Sequence, residues 1–109
     1  MYIQVNIGRN IDNVPMGMIQ WLEFQQRVVQ ALYENTESIP YQLFKTAVEV
    51  HTGSGRWWDG EKFISKDSAK ISLFLESGWN IEQLRIDLKE LRSQFGQDSI
   101  ALIIGSELI

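Results

Sequence analysis

The chain of 109 residues has no cysteine, a single histidine and only two prolines. Without cysteine there can be no disulfide staple, no thiolate nucleophile and no cysteine zinc site, and nothing marks an oxidising compartment. A reducing cytoplasm is the expected setting. The lone histidine, His51, has no His-x-x-x-His partner, so the set of about three or four ligands that a zinc site needs is missing, and no metal or cofactor is expected. Long apolar runs are also lacking. The longest, from Ile100 to Ile104, falls far short of the ~18 residues of a membrane span. The opening MYIQVNIGRN has neither the basic start nor the apolar block of a signal peptide, so neither export nor a membrane is expected. Positive charge is in short supply too. Ten Lys and Arg face 14 Asp and Glu, the net charge is −4, and the cations are scattered, which disfavours a phosphate backbone as partner.

The chain does have a hydrophobic fraction of 44%, with four Trp, three Tyr and five Phe, enough to fill the core of one domain spanning residues 1–109. Residues 2–8 alternate, placing Ile3, Val5 and Ile7 on one side and Tyr2, Gln4 and Asn6 on the other, which predicts a strand. Gly, Asn, Asp and Pro between residues 8 and 15 predict a loop, with Pro15 suited to a helix start. Over residues 18–33, Met18, Trp21, Leu22, Phe24, Val28, Val29 and Leu32 recur at three- and four-residue spacing, the stripe of a helix lying on a sheet. Glu23, Gln26, Arg27 and Gln30 form its opposite face.

Period two returns over residues 43–51, with Phe44, Thr46, Val48 and Val50 on one side, predicting a second strand. Gly53-Ser54-Gly55 then reads as a bulge, and Asp59-Gly60, a hairpin dipeptide, predicts a small extra hairpin after that strand. Residues 69–76 alternate as a third strand, with Ile71, Leu73 and Leu75 on one side. Asn80, followed three residues later by Gln83, predicts the cap of a second helix carrying Ile81, Leu84, Leu88, Leu91 and Phe95, which Gly96 ends. Residues 99–104 make the last strand, with Ile100, Leu102 and Ile104 facing the core.

Strand, helix, two strands, helix, strand is the βαββαβ order of a ferredoxin-like two-layer sandwich: an α+β domain with a four-stranded antiparallel sheet and both helices on one face. The other face is left open, with Tyr2, Gln4, Asn6, Lys45, Ala47, Glu49, His51, Lys70, Ser72, Phe74, Ala101 and Ile103 expected on it.

Four features carry chemistry, each beside a plainer explanation. His51 and Glu49 share a strand face, and a carboxylate beside an imidazole can tune an acid or base, but one isolated histidine with no partner set is better explained as a surface residue. Gly53-Ser54-Gly55-Arg56 has the composition of a phosphate loop but leads into a hairpin rather than a helix, which favours a structural role. Ser54 has no Gly-x-Ser-x-Gly frame, which argues against serine catalysis. Trp57 and Trp58, being adjacent, point to opposite sides of a strand, so one of them is left for solvent or a partner. Beside Arg56 that composition is the one found at interface hot spots, although tryptophans serve small domains equally as core filler. Phe74, Tyr2 and Ile103 extend the apolar surface. Base stacking on Tyr2 and Phe74 is compatible with this topology, but the basic aromatic signature of RNA binders is missing.

The chain resembles an uncharacterised family of small bacterial and phage ferredoxin-like proteins. The resemblance lies in a first strand ending in Gly8-Arg9, a helix opening with Trp21 and Phe24, Gly53-x-Gly55-x-Trp57, Ser68-x-Lys70, and Phe95-Gly96-Gln97-Asp98-Ser99. It brings no activity with it. The expected function is therefore a non-enzymatic interaction module, binding a protein partner or a second copy as a homodimer through the open face and the hairpin, with Tyr2, Arg56, Trp57, Trp58 and Phe74 in contact. The alternative is a small-molecule or anion-binding protein, or a small enzyme, with a pocket near Arg9, Glu49, His51, Arg56 and Trp57.

Overall fold

A computed structural model describes residues 2–35, 48–58, 60–74 and 80–105, with Trp57 described by its backbone alone. The elements are β1 (Tyr2–Gly8), β2 (Asn10–Ile11), β3 (Val14–Pro15), α1 (Met18–Glu34), β4 (Glu49–Trp58), β5 (Phe63–Phe74), α2 (Ile81–Gln94) and β6 (Ala101–Gly105). The chain is α+β. Its main sheet has the order β4-β5-β1-β6, and each neighbouring pair is antiparallel.

Alternation in β1 buries Ile3, Val5 and Ile7, and the facing residues of β5, Leu73, Ile71 and Ala69, close the same layer. Trp21, Phe24, Val28, Ala31 and Leu32 of α1, with Leu84, Leu88 and Leu91 of α2, join them in one continuous cluster, so both helices cover the same face of the sheet. Phe24 is fully buried, stacks on Phe95 with ring centroids 4.6 Å apart, and meets Trp21 edge-on. The helix ends are tied together. The Asn35 side chain donates to the Ala31 carbonyl and to Asp87, while the Asn35 backbone carbonyl accepts from the Asn80 backbone amide.

Both ends of α2 follow from local chemistry. Asn80 caps the start by accepting from the Gln83 amide, satisfying a donor that has no partner inside the helix. At the other end Gln97 N–H donates to the Arg92 carbonyl and Gly96 N–H to that of Ser93, while Gly96 adopts φ +64°. A side chain at that position would also come within 3.2 Å of Ile11 Cγ2, so both the backbone conformation and the surroundings favour glycine.

Three expectations need correction. Gly53-Ser54-Gly55 is neither loop nor bulge: β4 runs straight through it in unbroken register, from Glu49 opposite Ser72 to Trp58 opposite Phe63. The small extra hairpin is thus the outer half of one long strand pair. The glycines interrupt the side-chain pattern but not the backbone ladder, which needs no side chain. The loop expected before α1 contains its own two-stranded hairpin, β2 and β3, and Pro15 ends that hairpin rather than starting the helix. Ile104 is 41% exposed on the edge strand β6, so Ile100 and Leu102 alone among the expected three pack on the core. Phe44, Lys45, Thr46, Ala47 and Leu75 lie outside the described residues.

Candidate functional site

Three surfaces bear on function. The first is the open face, where strand register sets side chains in rows: Glu49, Ser72, Gln4 and Ile103 in one, His51, Lys70, Asn6 and Ala101 in the next, and Phe74 with Tyr2 at the end. The Tyr2 hydroxyl donates to Gln4 Oε1 at 2.7 Å, and Gln4 Nε2 donates to Asn6 Oδ1 at 2.8 Å, so β1 carries a chain of oriented dipoles along this face. The face is not uniformly open. Ser72, in its middle, is buried, while Tyr2, Gln4, Asn6 and Phe74 are half-buried. His51 Nε2 lies 3.3 Å from Glu49 Oε2, with both side chains about two-thirds exposed, and an ion pair so well hydrated contributes little.

The second surface is the outer ribbon. β1 pairs with β5 only as far as Gly8 opposite Ser68, so residues 54–58 and 63–67 form a two-stranded ribbon with no third strand beside it among the described residues. At its tip Trp58 and Phe63 face each other across the strands, ring centroids 5.2 Å apart in an edge contact, and they remain 60% and 69% exposed. Arg56 stands opposite Ser65 and is exposed, while Trp57 occupies the register position opposite Ile64.

The third surface is a cavity of about 340 Å³ between the first half of α1 and the base of the ribbon. Met18, Trp21, Leu22 and Gln25 of α1 line one wall, while Thr52, Gly53, Ser54, Asp67 and Arg9 line the other. Arg9 is pinned from three directions. Its amide donates to the Asp67 carbonyl, its Nη1 to Asp67 Oδ2 at 2.9 Å, and its Nε to the Met16 carbonyl at 2.8 Å. Asp67 accepts from Ser54 Oγ through its other oxygen. The guanidinium is thus already paired with a carboxylate, and the wall presents a near-neutral polar network rather than a free positive charge.

The structure therefore brings Tyr2 to Phe74 and Glu49 to His51, but it does not assemble Arg9, His51 and Arg56 into one pocket. Side chains alternate along β4, so His51 lies on the open face while Thr52 and Ser54 line the cavity with Arg9 on the helix side. Among the described residues, no group of three His, Asp or Glu could hold a metal ion, and no helix is long and apolar enough to cross a membrane. Gln25, Asp67 and Phe63 were not among the sequence candidates. Gln25 did carry a signal: four residues after Trp21 and three before Val28, it puts an amide where the helix stripe calls for an apolar side chain.

No protein-family model matches the chain, and no curated protein does. Among solved structures the chain is similar to a phage SAM lyase in complex with S-methyl-5'-thioadenosine, with 16% identity, a TM-score of 0.60, and coverage of 93% of this chain and 76% of that one. A phage SAM lyase in the apo state gives 15% identity and a TM-score of 0.58 over 93% and 75% of the two chains. CutA of Pyrococcus horikoshii, crystallised in guanidine hydrochloride, gives 16% and 0.48 over 94% and 80%. At such identities the likeness to the lyase is one of fold.

Proposed function

We propose that this protein is a self-associating module of ferredoxin-like fold, in which two copies meet through the outer ribbon and the open sheet face. The strand order β4-β5-β1-β6, with both helices on one side, supports the fold. The observation that carries the association is the ribbon: two strands alone are marginal in water, and this pair ends in an exposed Trp58 and Phe63. In addition, among the described residues β4 lies at the sheet edge over ten residues, a row of backbone donors and acceptors that another strand can extend. A second copy supplies both an apolar cover and such a strand. The lack of cysteine fits a reducing cytoplasm. Sedimentation velocity across a concentration series tests the association: a dimer that dissociates on dilution is expected, and a monomer at every concentration overturns it.

A second reading is favoured by the cavity together with the likeness to a SAM lyase that holds S-methyl-5'-thioadenosine. In this reading the chain binds S-adenosylmethionine or its thioether fragment, and lyase chemistry on that substrate is the reaction class to test. Fold alone does not carry an activity. What supports the reading is a concave site, apolar on one wall and polar on the other, on the scale of about 300–1,000 Å³ usual for small ligands. Incubation with S-adenosylmethionine, followed by chromatography for S-methyl-5'-thioadenosine, is the direct assay. Product above a no-protein control supports catalysis.

A further inference from the structure

The cavity contains a buried polar group that the fold does not use. Gln25 is nine-tenths buried and lines the cavity, and its amide has no hydrogen-bond partner among the described residues. Buried amides in folded proteins are nearly always bonded, because an unmatched one bears the full cost of losing water. Something from outside the chain therefore fits this position. Water entering through the mouth satisfies the amide in the free protein, and about 340 Å³ leaves room for a small ligand to displace it.

We infer that this cavity is the binding site for the adenosine part of a thioether nucleoside, a placement that rests on the second reading above. The Gln25 amide presents a donor and an acceptor side by side, the pair that matches the 6-amino group and N7 of adenine. Trp21, almost fully buried, gives the same wall an aromatic floor, and the half-exposed Met18 and Leu22 offer apolar contact at the mouth. Across the cavity Asp67, held by Arg9 at 2.9 Å and by Ser54, is a fixed carboxylate of the kind that accepts hydrogen bonds from ribose hydroxyls. Because Arg9 balances Asp67, the wall favours a neutral sugar over a phosphate. The site thus selects a nucleoside rather than a nucleotide.

Isothermal titration of the full chain with S-methyl-5'-thioadenosine tests this. Binding by the unaltered protein is expected, with Gln25→Leu weakening it by about tenfold or more, since a site built around a hydrogen bond discriminates strongly against its loss. Gln25→Leu should melt at the same temperature as the unaltered chain or above it, because an unmatched buried amide has been replaced by an apolar group of similar size. Thr52→Phe, on the exposed edge strand, should block the cavity without touching the core and abolish binding, while Lys89→Ala on the outer side of α2 should bind normally. Purine riboside, which lacks the 6-amino group, should bind about tenfold more weakly. Undiminished binding by Gln25→Leu and Thr52→Phe overturns the site but leaves the second reading standing. No binding by the unaltered chain overturns both.

Discussion

Arg9 and Asp67 are joined twice, by a backbone hydrogen bond of 3.0 Å and by a side-chain ion pair of 2.9 Å, at the point where β1 stops and the outer ribbon continues alone. The Arg9 side chain is only 18% exposed and also holds the Met16 carbonyl just before α1. Three parts of the chain therefore meet at one guanidinium.

Arg9→Ala should destabilise the fold by about 1–3 kcal/mol, the cost of leaving half-buried acceptors unmatched. Asp67→Ala should cost less, because Asp67 is half exposed and the Arg9 side chain keeps its bond to the Met16 carbonyl. Denaturant midpoints of the two variants check the order, and a larger loss from Asp67→Ala would refute it.

Trp58→Ala and Phe63→Ala should each leave the fold intact and weaken self-association. Both rings are more than half exposed in one copy, so their truncation removes little that the isolated chain buries. Removal of an interface aromatic commonly costs about 2 kcal/mol or more, or roughly thirtyfold in dissociation constant. Sedimentation at fixed concentration reads the shift toward monomer, with circular dichroism as the check on folding.

Gly96→Ala should lower stability by about 1–2 kcal/mol, the penalty for a side chain in the left-handed region. Asparagine tolerates that backbone better, so if φ alone mattered, Gly96→Asn would be nearly silent. The Ile11 side chain, 3.2 Å from where a Cβ would stand, predicts instead that both variants are destabilised. Thermal melts of the pair separate the two causes.

Phe24→Ala removes a fully buried ring and should cost about 3–5 kcal/mol. A double-mutant cycle with Phe95→Leu should show a coupling of about 0.5–1.5 kcal/mol for the stacked pair. Additive losses would mean that the stack contributes only its buried area.

Much of this architecture was legible in the sequence. Ile3, Val5 and Ile7 on one strand face, and Trp21, Phe24 and Val28 on one helix face, announced their positions because burial enforces a period. The interruption read at Gly53 and Gly55 was misleading, since a glycine in a ladder is silent to any argument based on side chains. Pairing partners settle that question, and they come from distant residues such as Ser68 and Lys66. The cavity was hidden for a related reason. Arg9, Gln25, Ser54 and Asp67 come from four elements or their flanks, and no spacing along the chain brings them together.

The unbroken alignment of β4 with β5 also governs how the tip can change over time. Lengthening or shortening the arm by one residue on one side would turn every side chain beyond that point to the opposite surface, whereas matched changes of two on both sides keep Trp58 and Phe63 on their present side. The reach of this arm is therefore adjustable only in discrete steps of roughly 7 Å, the span of two strand residues.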